Sequence, residues 1–318
     1  MPQLYKVLCK PHSHFSMMYK SDTIFGAVCW AVRYMYGNEA LEELLNKFDS
    51  APPFLLSSMM PLGYVYKPLI HPHKMTTVPA KIDKTKARAY LEKLKKFKRV
   101  TLLPVDVVVK YQNNIEEIYT ADEDIVGKGF DEKQIGSYEI TRNAIDRVSL
   151  HALQGVLFTE LYMYATVDLM FYVKVMDDSF TKDWFSAVFE TVGKNGLGKD
   201  CSVGKGIFTM KIEPLSNQEQ QLFNYNSNTF CSLSVCAGKS CKPVYFTTFT
   251  RYGKLGGLYS QAGINNNLLY CKKPIVFYSE GSVFMGNEVS GSMIHDIHSH
   301  KGIVQYGYAF PLYFGYKG

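Results

Sequence analysis

The chain has 318 residues, 47% of them hydrophobic and 14% aromatic, which excludes a disordered protein and allows one large domain or two ordinary ones. Its formal charge of +6, from 35 Lys and Arg against 29 Asp and Glu, is too small to identify a nucleic-acid binder. The seven cysteines include no CxxC pair, so we expect reduced thiols in a cytoplasmic protein. The most apolar stretch, 150–176, contains Glu160 and Asp168, and we expect no membrane association.

The first part of the chain predicts a strand, two helices and a second strand. Residues 3–9 alternate between apolar and polar side chains, as an opening strand does. A helix begins near residue 21 and ends at Gly37, and a charged second helix covers about 39–49. Residues 54–61 form a short strand or turn.

The middle of the chain, from about 62 to 150, predicts an insertion. It contains a basic helix at about 84–98 and a polar, glycine-bearing segment at 120–150 that we expect to project from the core. Segment 81–99 carries nine Lys or Arg against two acidic residues. This basic run either binds phosphates or forms a solvated helix face. The segment 103–111 (LPVDVVVKY) fits a helix or a strand.

The rest of the chain predicts two strands within 155–175, a helix capped by Ser179, and a strand at 206–213 after a glycine-rich loop. The fold class is therefore α+β, with residues 1–215 compatible with a ferredoxin-like βαββαβ unit. Residues 216–318 are mostly β and predict a second, degenerate copy of that unit.

The loop 193–206 is the most informative motif, with five glycines and three lysines in fourteen residues. Glycines let backbone N–H groups approach phosphate oxygens, and lysines add charge. The alternative is a turn that needs glycine only for its geometry. A P-loop is excluded, because five residues separate Gly198 from Gly204 where that motif has four, and because this loop leads from a helix to a strand.

Two other basic segments offer donors for RNA. TRNAIDRVS (141–149) supplies arginines that suit bidentate phosphate contacts, although they could equally form surface salt bridges. RYGKLGG (251–257) is either a second backbone contact or a hairpin turn.

Histidines suggest two further kinds of chemistry. The three in HDIHSH are close in sequence, but their spacing matches no common zinc site, and we expect no functional metal. They are His295, His298 and His300. His12 and His14 could act as general acid and base in RNA cleavage, or be ordinary loop residues.

Several segments together resemble the RAMP-type subunits of CRISPR effector complexes. SDTIFGAVCWAVRYMYG (21–37) resembles their first helix, and GLGKDCSVGKGIF (196–208) resembles the glycine-rich loop that they all share. Four more segments resemble features of one branch, the fourth subunit of the type III-A (Csm) complex: PPFLLSSMMP (52–61), RNAIDR (142–147), EGSVF (280–284) and QYGYAF (305–310).

The resemblance implies two ferredoxin-like halves and a thumb-like insertion. It implies a non-catalytic subunit of a prokaryotic effector that caps the crRNA by gripping its repeat-derived 5′ tag. Its partners are the large polymerase-like subunit and the first backbone RAMP subunit, and no cofactor is implied. Two alternatives remain open. One is a metal-independent endoribonuclease that uses His12 or His14 on precursor crRNA, and the other is a purely structural adaptor.

We expect the RNA to contact several basic or N–H-bearing segments. The glycine-rich loop offers six residues: Lys194, Lys199, Ser202, Gly204, Lys205 and Gly206. The start of the first helix offers backbone N–H groups: Ser21, Asp22 and Thr23. The insertion offers three side chains: Arg142, Asn143 and Arg147. The turn 251–257 offers Arg251 and Lys254.

Overall fold

The computed structural model describes residues 3–70, 84–119, 125, 130–238, 240–257, 259, 271–286, 290–300 and 302–316. Within these ranges the chain is a mixed α/β protein with antiparallel sheets. Its helices are α1 (Ser21–Ser50), α2 (Lys84–Arg99), α3 (Val105–Tyr111), α4 (Lys182–Asn195) and α5 (Asn217–Phe223). The strands of the first two thirds are β1 (Gln3–Pro11), β2 (Phe54–Leu56), β3 (Met60–Pro61), β4 (Tyr64–Tyr66), β5 (Leu102–Pro104), β6 (Ile135–Ile145), β7 (Ala152–Ala165), β8 (Leu169–Val175) and β9 (Phe208–Glu213). The remaining strands are β10 (Thr229–Ser232), β11 (Pro243–Tyr245), β12 (Thr248–Arg251), β13 (Ile275–Tyr278), β14 (Val283–Met285), β15 (Met293–Ile294), β16 (Gln305–Tyr306) and β17 (Pro311–Tyr313).

The first sheet has the strand order β9-β1-β8-β2, and every neighbouring pair is antiparallel. β1 lies in its centre, with Val7 opposite Phe171. Phe54 contacts Phe25 of α1 and Phe185 of α4, so both helices cover the same face of the sheet. The strand β3 pairs with β8 beyond the end of β2.

The second sheet has the order β11-β14-β10-β17, again with antiparallel neighbours. When each sheet's four main strands are numbered along the chain, both sheets show the same arrangement, fourth-first-third-second. One hydrophobic core continues between them, since Tyr172 of the first sheet packs on Phe310 beside the second.

A long two-stranded hairpin, β6–β7, departs from the first sheet just before β8, with Tyr138 opposite Tyr162. The insertion therefore extends past the predicted limit at residue 150, because β7 is the return strand of this hairpin. The pattern of 155–164 was expected to mark an ordinary strand preceding β8. The structure leaves Leu157 and Leu161 exposed, as an isolated ribbon does.

Other predicted boundaries shift by a few residues. Gly37 has φ 93° and breaks the helical geometry inside α1, as its position predicted. Thr181, and not Ser179, caps α4, because the Thr181 hydroxyl accepts the Trp184 N–H while Ser179 binds Lys47. The ambiguous segment 103–111 divides into the end of β5 and α3. No helix in the described ranges combines the length and apolarity needed to cross a membrane.

Candidate nucleic-acid interface

The glycine-rich loop connects α4 to β9 and is closed by its own backbone. The Leu197 N–H donates to the Gly206 carbonyl at 2.8 Å, and the Gly206 N–H donates to the His14 carbonyl at 2.8 Å. Gly206 has φ +69°, and a Cβ there would lie 2.1 Å from the Leu197 oxygen. Glycine is therefore required at this position by the loop itself.

The outer part of the loop is organised around Asp200, a non-glycine residue with φ 62°. Its carbonyl accepts the N–H groups of Val203 and Lys205. The Gly204 N–H also donates within the loop, to Cys201. The expectation that these amides bind phosphate is therefore corrected, because the N–H groups of 203–206 already have protein acceptors. The tip of the loop, which includes Ser202, is exposed, so its side chains remain accessible to a phosphate.

The middle of the hairpin β6–β7 meets this loop through ion pairs. The Arg142 guanidinium lies 3.0 Å from the Glu160 carboxylate and donates to the Tyr162 hydroxyl at 2.6 Å. The Lys199 ammonium reaches the same Glu160 carboxylate at 3.0 Å. The Tyr162 hydroxyl also hydrogen-bonds to Asp200. Two segments 39 residues apart are thus joined in one network.

The Tyr162 ring is the centre of this network and is fully buried. Three cations surround it, at 5.5, 5.0 and 5.1 Å from the ring centroid: Arg142, Lys199 and Lys205. We call the resulting set the Tyr162 cluster, namely Arg142, Glu160, Tyr162, Lys199, Asp200 and Lys205. Cations over an aromatic face are stabilised by its quadrupole. Three cations against two carboxylates leave the cluster with one net positive charge.

The titration behaviour follows from these contacts. Hydrogen bonds from Lys199 and Tyr162 hold the pKa of the Glu160 carboxyl below its ordinary value. Burial raises the pKa of the Tyr162 hydroxyl well above its ordinary value, and Asp200 and Glu160 add to that effect. The Glu160 carboxylate is therefore ionised and the Tyr162 phenol neutral at pH 7, so Glu160 holds Arg142 and Lys199 by charge.

A histidine and two further tyrosines extend the cluster along the same face of the hairpin. The exposed His14 ring shares a 2.6 Å hydrogen bond with the Tyr138 hydroxyl, and the Tyr164 ring lies 6.4 Å away. Sequence reasoning missed Tyr138 and Tyr164. The alternation of a hairpin could have shown them, since residues at even spacing share one face. His12 is bound separately, to the Thr209 hydroxyl at 2.6 Å.

Two of the three predicted N–H donors at the start of α1, those of Ser21 and Thr23, already have protein acceptors, contrary to expectation. The Ser21 N–H donates to the Ser58 hydroxyl and the Thr23 N–H to the Lys20 carbonyl. Asp22 is buried and accepts two bonds from Arg251, at 2.8 and 2.7 Å. Two predicted RNA contacts, from segments 229 residues apart, are therefore bound to each other.

The other predicted residues are dispersed. Lys194 pairs with Glu190 at 2.6 Å on the exposed end of α4. Asn143 is exposed on the face of the hairpin opposite Arg142, and Arg147 is exposed in the turn that follows β6. The backbone of Lys254 forms an isolated antiparallel β-bridge with the backbone of Cys271.

The glycines of RYGKLGG have a packing role. Gly256 and Gly257 pack against Trp30, where a Cβ at Gly257 would lie 2.7 Å from the indole.

The three C-terminal histidines do not converge on one point: His295 binds a residue of α1, and His298 and His300 contact each other. His295 pairs with Asp49 at 2.8 Å, while His300 donates its N–H to the His298 ring and packs on Tyr259. No group of three metal-ligating side chains occurs within the described residues.

Comparisons with known proteins bear on the fold. No family model matches the sequence, and no curated protein matches it. Among solved structures, the Csm4 chain of a Csm1–Csm4 cassette in complex with pppApA is 16% identical, with a TM-score of 0.59, covering 99% of this chain and 100% of that one. The Csm4 chain of the Csm3–Csm4 subcomplex in the type III-A CRISPR-Cas interference complex is 17% identical, with a TM-score of 0.61, covering 98% and 99%. The resemblance expected from the motifs is thus confirmed at the level of structure, and this chain has the fold of the Csm4 RAMP subunit over nearly its whole length.

Proposed function

We propose that this chain serves as the Csm4-type subunit of a type III-A CRISPR effector complex. The full-length likeness to Csm4 chains supports this role, together with the ordered motifs at 21–37, 142–147 and 196–208. Its partners would then be a Csm1-like large subunit and a Csm3-like backbone subunit, the proteins with which the matched Csm4 chains are associated.

The RNA-binding site of this subunit is the Tyr162 cluster, and its ligand is the crRNA 5′ tag. The observation that carries this assignment is the convergence of Arg142, Lys199 and Lys205 on one ring. Arginine and lysine at the junction of a loop and a hairpin suit a phosphate backbone. The neighbouring Tyr138 and Tyr164 offer ring faces on which unpaired bases stack.

The two sheets represent two ferredoxin-like units. Both have the strand arrangement fourth-first-third-second, and the first has helices α1 and α4 in its two crossovers. In the second unit the described residues of the two crossovers form no helix, and the second crossover contains β15 and β16, in keeping with the weak helical periodicity after residue 216.

The subunit binds RNA without cutting it. His14 is hydrogen-bonded to Tyr138 and His12 to Thr209, so the two imidazoles have separate partners and form no acid–base pair with each other. The alternative function, metal-independent cleavage of precursor crRNA, predicts cutting in EDTA that is lost on replacing either histidine.

The test is an RNA titration in EDTA, using the chain together with its large partner subunit. The RNAs are a crRNA with its repeat tag and one with the tag scrambled, each inspected afterwards for cleavage. We expect tag-dependent binding of intact RNA. Replacing Lys199→Ala and Lys205→Ala should flatten the slope of log affinity against log salt by about 1.4, since each single-strand phosphate contact contributes about 0.7.

A charge-matched control separates the site from net charge. Lys182→Ala with Lys242→Ala removes two exposed lysines that lie outside the Tyr162 cluster. The assignment of the site would be wrong if the salt slope fell equally in the two double variants. It would also be wrong if the chain bound tagged and scrambled RNA with equal affinity. Cleavage would favour the processing enzyme, and no binding at all would favour the structural adaptor.

A further inference from the structure

Helix α2 ends in a dense group of cations outside the Tyr162 cluster. Four exposed basic side chains fall within five residues: Lys95, Lys96, Lys98 and Arg99. We call them the α2 cations. None of the four forms an ion pair or a side-chain hydrogen bond with a residue that the structure describes. On the same helix Arg88 is paired with Glu92 at 3.2 Å.

The helical geometry places these charges side by side. Lys95 and Arg99 are four residues apart and Lys96 and Arg99 three apart, so their side chains neighbour each other on the helix surface. Like charges at these spacings destabilise a helix, and the negative end of the helix dipole offsets only part of that cost. A bound polyanion would relieve this repulsion.

The turn that carries the α2 cations is held rigidly from beneath. Phe97 is buried and packs edge-on against Tyr119, with ring centroids 4.7 Å apart. The buried Lys67 ammonium donates to the Phe97 carbonyl at 2.6 Å and lies 4.4 Å from the centroid of its ring. The last turn is therefore capped and fixed by the core, which spares a ligand the cost of ordering it.

We propose that the α2 cations form a second RNA-binding site, which holds the phosphate backbone without regard to base sequence. Lysine is depleted in protein–protein interfaces, which depend on buried aromatic and apolar anchors. Leu91 is the single large apolar side chain that is exposed among the described side chains of α2. The chemistry of the surface therefore matches phosphate better than an acidic protein. The site needs no tag, so it goes beyond the function proposed above.

The test replaces Lys95, Lys96, Lys98 and Arg99 together with Gln in the full chain. Binding of an unstructured RNA of about 40 nucleotides that lacks the tag sequence is measured across a salt series. Four single-strand phosphate contacts at about 0.7 each predict a slope of log affinity against log salt that is flatter by about 3. We expect affinity at the lowest salt to fall at least tenfold.

The control variant replaces four exposed lysines spread over the rest of the surface, namely Lys182, Lys211, Lys242 and Lys273, with Gln. It has the same net charge, and circular dichroism and thermal melting confirm that both variants fold. Equal loss of slope in the two variants would overturn the proposal, because net charge would then explain it. Unchanged RNA binding with weakened binding of the large partner subunit would also overturn it, in favour of an acidic protein surface.

The same variants distinguish this site from the tag site. The ratio of affinities for tagged and scrambled crRNA should be unchanged in the α2 variant, since its contacts do not read sequence. If the unmodified chain shows no tag preference while the α2 variant still loses slope, the tag assignment fails and the α2 site stands.

Discussion

The Lys199 ammonium lies 3.0 Å from the Glu160 carboxylate, and this contact ties the glycine-rich loop to the hairpin β6–β7. Glu160 binds Arg142 with its other oxygen, again at 3.0 Å. One carboxylate therefore holds two of the three cations that surround Tyr162. An RNA phosphate that approaches either cation has to compete with Glu160 for it.

We expect Glu160→Gln to strengthen RNA binding several-fold at low salt. The change removes a negative charge within 3.0 Å of Arg142 and Lys199 and frees both for phosphate. The benefit should shrink as salt is raised, because screening weakens the competing carboxylate as well. The measurement is a titration of tagged crRNA at 50 and 300 mM salt, concentrations between which the screening length changes about 2.4-fold.

The matched control for this variant is Glu190→Gln. Glu190 pairs with Lys194 on the exposed end of α4, outside the Tyr162 cluster. Its replacement by Gln changes the net charge by the same amount as Glu160→Gln. Stronger binding in both variants would show a general effect of charge. Weaker binding in Glu160→Gln alone would mean that the carboxylate positions the cations more than it competes for them.

The local elements of this fold could be predicted because their signals are local. The strand Gln3–Pro11, the break at Gly37 and the basic helix Lys84–Arg99 follow from alternation, a glycine and helical composition. The glycine-rich loop was located for the same reason. The anchoring of the loop to the start of the chain was not foreseen, because the His14 carbonyl that accepts the Gly206 N–H belongs to a distant segment.

The site itself depends on contacts that composition does not encode. Arg142 and Lys199 are brought together only by the register of β6 with β7 and by the packing of the hairpin on the loop. The partnership of Asp22 with Arg251 likewise joins the start of α1 to the end of β12, which are far apart in sequence. A helix start and a basic turn each look like RNA contacts when read alone, and the structure shows that they neutralise one another.

Gly206→Ala should be much more damaging than Gly204→Ala, although both glycines have positive φ. At Gly204 a Cβ meets nothing within 4 Å, so the cost is that of a left-handed alanine, about 1 kcal/mol. At Gly206 the Cβ would also lie 2.1 Å from the Leu197 oxygen, so the closed loop must open. Urea unfolding measures the difference, and comparable losses in the two variants would contradict the described closure.

We expect Arg251→Met to lower the stability of the fold, and not to remove a direct RNA contact. It leaves the Asp22 carboxylate buried without its bidentate partner, which costs about 3 kcal/mol or more. Adding Asp22→Asn should recover much of the loss, because the uncompensated charge is removed while the Gln305 contact can persist. The measurement is a double-mutant cycle: the free energy of unfolding is determined by chemical denaturation for the unmodified chain, the two single variants and the double variant. If the folded single variant loses RNA binding with unaltered stability, Arg251 contacts RNA after all.

Acid should destabilise the junction between the two halves of the chain through Glu219. This buried carboxylate accepts from Lys6 at 3.0 Å and from the Tyr172 hydroxyl at 2.8 Å, and it completes a capping box with Ser216. Burial raises the pKa of Glu219, but the hydrogen bonds from Ser216, Lys6 and Tyr172 outweigh it and leave the pKa below its ordinary value. A depressed pKa in the folded state stabilises the protein above the unfolded-state pKa, and this stabilisation is lost as pH falls through the folded-state value.

Glu219→Gln should therefore lower the free energy of unfolding by about 3 kcal/mol at pH 7, since it breaks a buried ion pair. The gap between this variant and the unmodified chain should be smaller at pH 3 than at pH 7, because below the ordinary carboxyl pKa the unfolded chain takes up a proton that the folded chain, with its lowered Glu219 pKa, resists. Urea titrations at the two pH values give the comparison, with Glu42→Gln on the exposed surface of α1 as the control. A gap that is the same at both pH values would show that the loss comes from packing and not from the charge on Glu219.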